Sequence, residues 1–324
     1  MLNPNAPALA LAPMDGITDA PMRALQGTTG AFSYSVTEFL RVANGVIPTK
    51  VFRRDVPELS HDAKTQNGMP VQVQILGGNP EHMAISAVNA CKAGAKAIDI
   101  NFGCPAPTVN RNDGGATLLQ FPCRIRDIVS AVRKAVPTEI PVSAKLRLGW
   151  DSIDAIHENA AMAAEGGANW LTIHARTRVQ GYKPPVYWQP IGKVREDLNL
   201  PVVANGDIWS IDDFRRCQDE TGCRHFMIGR SALANPSLPY QISRELGLFD
   251  GLMPTWTWES VLRSLVAYTE EFKGPSIGKS VVRLKQWLKL ASSFGDFPHF
   301  DAVKLSETPE ELFANLARAE SLAA

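Results

Sequence analysis

The chain has 324 residues, equal numbers of acidic and basic side chains, 45% hydrophobic and 20% charged residues. That is the balance of a globular protein long enough for one large domain plus a small one, or for two ordinary domains. No run approaches the ~18 apolar residues of a membrane span, and Met1–Pro7 lacks the basic start and apolar stretch of a signal peptide, so a cytoplasmic protein without a membrane partner is expected. Zero net charge removes a global positive field for nucleic acid and leaves such a partner to a local basic patch. The five scattered cysteines (Cys91, Cys104, Cys123, Cys217, Cys223) include no C-x-x-C pair, which argues against a disulfide framework, a zinc site or an iron–sulfur cluster.

Eight short apolar runs recur along the chain: Leu9–Ala12, Phe32–Glu38, Val71–Leu76, Ala97–Phe102, Val142–Leu148, Trp170–Ala175, Val202–Asn205 and His225–Ile228. Several are continuous rather than alternating, as expected of parallel strands covered on both sides. Amphipathic stretches such as Glu81–Ala93, Ile125–Ala135, Ala155–Ala164 and Asp212–Gln218 lie between them. Eight strand–helix units over roughly 240 residues predict a (β/α)8 TIM barrel; an open doubly wound sheet is the alternative, but it offers no reason for eight units. After Phe249 the strand-like runs stop. Trp258, Val261, Leu262, Leu265, Val266, Thr269 and Phe272 recur at helical spacing, a second helix is expected over Ser280–Leu290, and Thr308-Pro309 with Glu311 reads as a capping box opening a third. The predicted organisation is an α/β catalytic barrel over 1–249 and a small C-terminal helical domain over 250–324.

In such a barrel the chemistry sits at the C-terminal strand ends and the loops that follow. Here nearly every end carries polar groups: Pro13-Met14-Asp15 after the first run, Glu38 to Arg41 after the second, Gln72 and Gln74 within the third, Asn101 and Cys104 at the fourth. Lys145 and Arg147 lie in the fifth, His174 and Arg176 close the sixth, Asn205-Gly206-Asp207 the seventh and Gly229-Arg230 the eighth. Each has an ordinary reading on its own: a small core cysteine, a snorkelling lysine, a hydrogen-bonded core histidine, an Asn-Gly turn. All of them at one rim are harder to explain that way, because polar groups at a buried barrel mouth cost stability unless paired or used.

Gly206 and Gly229 allow close backbone approach in the loops where this fold usually binds phosphate, and Arg230 adds a fork-shaped cation. With Gln74 and Lys145 deeper in the barrel, this suits flavin mononucleotide: Gln74 for the pyrimidine edge of the ring, Lys145 for negative charge near N1 and the C2 carbonyl. Neither G-x-G-x-x-G nor a P-loop pattern occurs.

Pro13-Met14, Asn101-x-Gly103-Cys104-Pro105, Lys145-x-Arg147-x-Gly149, His174-Ala175-Arg176-Thr177, Asn205-Gly206-Asp207 and Gly229-Arg230 resemble, in order and spacing, the tRNA-dihydrouridine synthases. Thr37-Glu38-Phe39 with Arg41, Leu148-Gly149-Trp150-Asp151, Gln180-Gly181-Tyr182 and Lys285-Gln286-Trp287 are similar to the bacterial C subfamily, which acts on uridine 16 of the D-loop. The resemblance implies an FMN enzyme that uses NADPH to reduce the C5–C6 double bond of a uracil, with hydride from the flavin N5 to C6 and a proton from Cys104 to C5. It implies flavin contacts for Pro13, Met14, Asp15, Gln74, Lys145, His174, Asn205, Gly206, Asp207, Gly229 and Arg230, with Lys145 and His174 also helping to carry charge. Asn101 would read the uracil amide edge, Arg176 would lie near the substrate or the flavin phosphate, and Arg41, Tyr182, Lys279, Arg283, Lys285 and Gln286 would meet tRNA.

Between Phe272 and Gly295 stand five basic residues (Lys273, Lys279, Arg283, Lys285, Lys289) and no acidic one, a local patch of the kind phosphate binding requires, although a solvated basic helix has the same composition. Arg176, Arg178 and Lys183 with Tyr182 add to it from the loop after the sixth strand. The alternatives are an FMN barrel that reduces a free small molecule in the manner of dihydroorotate dehydrogenase, an RNA-binding protein with a vestigial flavin site, and a phosphate-sugar lyase or isomerase. Nothing in the sequence calls for more than a monomer.

Overall fold

Eight parallel strands close into a barrel: β1 (Ala8–Leu11), β2 (Tyr34–Val36), β3 (Val71–Leu76), β4 (Ile98–Asn101), β5 (Val142–Arg147), β6 (Trp170–His174), β7 (Val202–Asn205) and β8 (His225–Ile228). Each pairs with its neighbours in chain order, and β8 returns to β1. This computed structural model describes residues 2–43, 45–274 and 277–323. Among the described residues no helix is long and apolar enough to cross a membrane.

The helices expected between strands form with slightly wider bounds, Pro80–Ala93, Pro122–Ala135, Ala155–Glu165 and Ile211–Thr221. Two of them begin with proline, whose missing N–H is no loss at a helix start. The second run is shorter than its composition predicts, Tyr34–Val36 rather than Phe32–Glu38. The ladder is interrupted where the Thr37 hydroxyl, in place of a backbone carbonyl, accepts the Gln74 N–H at 3.0 Å. Pairing then resumes in the two-residue segment Leu40–Arg41 against Ile75 and Leu76.

Alternation within the strands sorts residues between two cores. Ile98, Ile100, Ala144, Leu146, Leu171, Ile173 and Ala204 face the surrounding helices. Ala8, Ala10, Tyr34, Val36, Trp170, Val203 and Met227 pack inside the barrel on one side. The other side of the interior is polar, with Gln72, Gln74, Asp99, Ser143 and Thr172 all buried. The register sets the site directly: Asn101 pairs with Lys145, Lys145 with Thr172 and His174 with Asn205.

Beyond the barrel, Trp258–Lys273, Ile277–Phe294 and Pro309–Ala323 are helices. Thr257 and Ser260 form a reciprocal capping box at the first. At the third, Thr308 accepts the Glu311 N–H at 3.1 Å, but the Glu311 carboxylate turns to the Glu307 N–H at 2.8 Å instead of completing the expected box. A separate apolar cluster, including Leu262, Leu265, Leu284, Trp287, Leu288 and Leu312, takes in Met22, Leu25 and Leu233 from the barrel side. The Trp287 indole N–H also donates to the Leu233 carbonyl at 2.7 Å.

One buried ion pair fixes the loop after β1. Arg23 donates to both oxygens of Glu58 at 2.8 and 2.9 Å and to the Thr18 carbonyl at 2.7 Å, with both side chains almost wholly shielded, at 1% and 3% exposure. The Thr18 hydroxyl in turn accepts the Met14 N–H at 2.7 Å. Arg23→Met, which strands the Glu58 charge, is expected to lower unfolding free energy in urea by about 3–5 kcal/mol, and Arg23→Met with Glu58→Met to recover much of that loss. Equal destabilisation of single and double variants would contradict this assignment.

Candidate active site

A cavity of about 560 Å³ opens at the C-terminal ends of the strands, within the size range of cofactor sites. Of the residues expected from sequence, Pro13, Met14, Asp15, Asn101, Cys104, Lys145, His174, Tyr182, Asn205, Gly206, Asp207, Gly229 and Arg230 all line it.

Cys104 is held by its backbone. The Asn101 side-chain carbonyl accepts the N–H groups of Gly103 and Cys104 at 2.8 and 2.9 Å, the Cys104 carbonyl accepts the Ala116 N–H at 3.1 Å, and Arg147 Nε donates to the Gly103 carbonyl at 2.8 Å. A side chain at Gly115 would bring Cβ to 2.9 Å from the Cys104 carbonyl, and its φ of +60° already favours glycine. The thiol is half-buried, and burial pushes its pKa up, so it stays protonated. A protonated thiol presented on a fixed loop is a proton donor rather than a nucleophile. The Asn101 carbonyl is thus committed to this loop, where the sequence led us to expect it to read a uracil edge.

Lys145 donates to the Asn205 side-chain carbonyl at 3.2 Å, and the Asn205 amide donates to the Met227 carbonyl at 2.8 Å. Burial and the nearby Arg147 guanidinium push the Lys145 pKa down to about 8, against the pull of the Asp99 carboxylate. Burial and the surrounding cations, Arg147 first, hold His174 well below its usual pKa, so its imidazole is neutral at pH 7. His174 Nδ1 is buried without a hydrogen-bond partner, a polar atom left for something else to satisfy.

At the far end, Gly206 has φ +122°, and a Cβ there would stand 3.2 Å from the Ala175 nitrogen. At Gly229 a Cβ would come within 3.1 Å of Ala12 and Met14 atoms. Asp207 accepts from Arg230 at 3.0 Å and from Arg176 at 2.8 Å, with a second contact to Arg176. Burial raises the Asp207 pKa, but hydrogen bonding to and the charge of Arg176 outweigh it and hold the carboxyl below the ordinary range. Two guanidiniums against one carboxylate leave an unbalanced positive charge beside these glycines. The Arg230 guanidinium lies against the rings of Tyr182, Trp209 and Phe294 at 4.6, 5.1 and 5.0 Å, and Trp209 and Phe294 stack on one another.

Several expected contacts sit elsewhere. Gln74 lies fully buried below the cavity and off its lining, donating to Asp99 and accepting from Asn101. Arg176 is completely buried, spending its guanidinium on Asp207 and the Lys183 carbonyl, which corrects the expectation of a contact with a substrate or flavin phosphate. The basic stretch is not a free patch. Arg283 donates to the carbonyls of Gly16 and Ile17 and to Asp19, Lys273 also pairs with Asp19, Lys285 donates to the Ser306 carbonyl, and Lys289 lies over the Phe300 ring. Gln286 is exposed and accepts from Arg283 at 3.3 Å. Arg41 is exposed and donates to the Thr108 carbonyl at 2.9 Å. The Lys279 side chain lies outside the described residues.

Sequence reading passed over Asp99, Trp209 and Phe294 as site residues, and gave Arg147 a place among the polar strand ends but no role. For Asp99 and Arg147 a signal was present: charged residues at inward positions of otherwise apolar strands. Trp209, in the loop after β7, and Phe294, at the end of the Ile277–Phe294 helix, carried none.

The model of the dihydrouridine synthase (Dus) family matches residues 10–317. The tRNA-dihydrouridine(16) synthase of Shewanella oneidensis is 42% identical over 315 residues, covering 96% of this chain and 97% of that protein. That of Haemophilus influenzae is 39% identical over 305 residues, covering 93% and 96%. Among solved structures, morphinone reductase superposes with a TM-score of 0.51 at 15% identity over 76% of this chain and 87% of its own. Histamine dehydrogenase from Rhizobium sp. 4-9 gives 0.56 at 14% identity over 81% and 49%. At such identities the structural likeness concerns the barrel alone. With the family match spanning residues 10–317 and both relatives aligning over more than nine-tenths of each chain, the protein belongs to the dihydrouridine synthase family.

Proposed function

We propose that the protein reduces the C5–C6 double bond of a tRNA uridine to 5,6-dihydrouridine, at position 16 of the D-loop, with FMN as cofactor and NADPH as reductant. The observation that carries this reading is the protonated Cys104 thiol on the wall of a cavity that also holds Lys145, neutral His174 and an unbalanced positive charge. The relatives named for this reaction at uridine 16 support it.

The residues present fit FMN. The glycine backbones at 206 and 229, with Arg230 beside them, suit its phosphate, and the unpartnered His174 Nδ1 and the Lys145 ammonium suit the polar edge of its ring. When bound and reduced by NADPH, FMN supplies the hydride that adds to C6. Cys104 gives the proton from its thiol to C5, and the thiolate left behind takes a proton back from solvent. Arg147 and Asn101 keep the thiol in place through the Gly103 and Cys104 backbone. Neutral His174 neither competes as an acid nor adds charge beside Lys145.

A uracil within a folded tRNA reaches such a cavity only after leaving its stack. Tyr182 is 54% and Phe294 49% exposed at the mouth, both available for stacking. The reading places tRNA contacts on this rim and on the helices after residue 250, with the protein acting in the cytoplasm as a monomer.

The test combines purified protein, unmodified bulk tRNA, FMN and NADPH, with dihydrouridine mapped by nuclease digestion and mass spectrometry. Dihydrouridine is expected at position 16, and Cys104→Ala is expected to slow its formation in single turnover by ~10²-fold or more, the usual worth of a positioned general acid. A yellow, NADPH-reducible protein that forms no dihydrouridine would instead point to a free small-molecule substrate.

Lys145 loses its charge as pH rises through about 8. FMN affinity, followed by flavin fluorescence, is therefore expected to weaken above that pH, and Lys145→Met to bind weakly with no such dependence. A dissociation constant that stays flat across pH 6.5–9.5 (a window chosen as roughly 1.5 units either side of about 8) would remove Lys145 from the flavin site.

A further inference from the structure

Two chains of hydrogen bonds inside the barrel end on one carboxylate. In the first, the N–H groups of Gly103 and Cys104 donate to the Asn101 carbonyl, the Asn101 amide donates to the Gln74 carbonyl at 2.8 Å, and the Gln74 amide donates to Asp99 Oδ2 at 2.7 Å. In the second, the Gln72 amide donates to the Ser143 hydroxyl at 2.8 Å and that hydroxyl donates to Asp99 Oδ1 at 2.5 Å. Asp99 is 2% exposed and Gln74 not at all.

The direction of the first chain is not arbitrary. A primary amide offers an oxygen at one face and an N–H pair at the other, and either orientation fills the same space. An ionised carboxylate only accepts. Asp99 therefore forces Gln74 to turn its NH₂ inward and its oxygen toward Asn101, and Gln74 forces Asn101 to turn its own oxygen toward the Cys104 loop. Were Asn101 reversed, its NH₂ would face two backbone N–H groups.

We propose that Asp99, joined to the Cys104 backbone by three successive hydrogen bonds, is a positioning residue for the proton donor: it sets the amide polarity of Gln74 and Asn101 and so holds Cys104 at the cavity wall. This rests on the uridine-reducing function proposed above and adds to it a residue that touches no substrate. Besides this chain, Lys145 from β5 acts on Asp99 through space, and Asp99 together with burial keeps the Tyr34 hydroxyl of β2 protonated, so removal of Asp99 also changes the surroundings of Lys145. The test has to separate the two effects.

Asp99→Asn provides an end that can donate, which permits the whole chain to reverse. Asp99→Asn with Gln74→Glu moves the obligate acceptor one link along: the carboxylate introduced at position 74 accepts both from the amide introduced at position 99 and from Asn101, which regains its orientation. Two readouts are taken with FMN-loaded protein. One is single-turnover dihydrouridine formation by pre-reduced enzyme. The other is the rate at which iodoacetamide alkylates Cys104, followed by mass spectrometry without tRNA. The single variant is expected to lose roughly 10²-fold in turnover, the cost of a displacement of about 1 Å, with faster alkylation of a loosened loop. The double variant is expected to recover most of both.

Unchanged turnover and alkylation in Asp99→Asn would overturn the proposal. So would a double variant as impaired as the single one, since that pattern belongs to a charge needed only beside Lys145. If Asp99→Asn does not fold, Gln74→Met cuts the same chain and leaves the carboxylate in place; unchanged alkylation there would overturn the proposal equally. The alkylation arm needs no tRNA, so a wild-type protein that forms no dihydrouridine counts against the proposed function and not against the role of Asp99.

Discussion

In a closed parallel barrel the side chains of each strand alternate between the helices outside and the interior, and adjacent strands are locked in register by their ladders. The site depends on this constraint. Asn101, Lys145 and Thr172 meet because β4, β5 and β6 pair at those residues, as His174 and Asn205 meet between β6 and β7. A one-residue slip of β5 would set Ala144 or Leu146 at the rim and turn Lys145 and Arg147 into the apolar layer under the helices. The buried aliphatic positions Ala144 and Leu146, pressed against that layer, thus fix the geometry of the cavity wall as firmly as any polar contact.

The interior is divided. Small and apolar residues fill one side, and a carboxylate, an ammonium, amides and hydroxyls fill the other. Burial of such groups is destabilising unless each finds partners, and the structure supplies nearly all of them: Asp99 receives two donors, Asn205 bridges Lys145 to Met227, and Arg147 reaches three carbonyls. Among the described residues, His174 Nδ1 is left without a partner, as are the Tyr34 hydroxyl and Gln72 Oε1 inside the barrel, and of these three only His174 lines the cavity. At the rim the unpartnered His174 nitrogen leaves polarity incomplete where a ligand could satisfy it, as a site that receives one requires.

Much of this could be read from the chain. Apolar runs located the strands, and the polar residues at their ends pointed to one rim, because closure of a barrel brings all such ends together whatever their separation in sequence. The places where the structure adds what the sequence did not show share a cause. Arg176, Arg283, Lys285 and Gln74 have the chemistry of ligand contacts, but their partners are Asp207, the Gly16 and Ile17 carbonyls with Asp19, the Ser306 carbonyl, and Asp99 with Asn101. A guanidinium serves equally well for a phosphate or for a carbonyl of its own chain, and only the tertiary structure decides which. The shortened second strand had a similar origin, since no propensity announces that the Thr37 hydroxyl will take a place in the ladder.

Asp19 caps the Ala20–Gly27 helix and also receives Lys273 and Arg283, while Arg283 grips the Gly16 and Ile17 carbonyls. Asp15 and Ile17 belong to the cavity wall. The loop after β1 is therefore shared property: one side of it shapes the pocket and the other is bolted to the C-terminal helices. A hinge between barrel and helices would have to tear the pocket wall to open. On the proposed function the protein acts as a rigid die, and the work of fitting falls on the more pliable partner, the RNA.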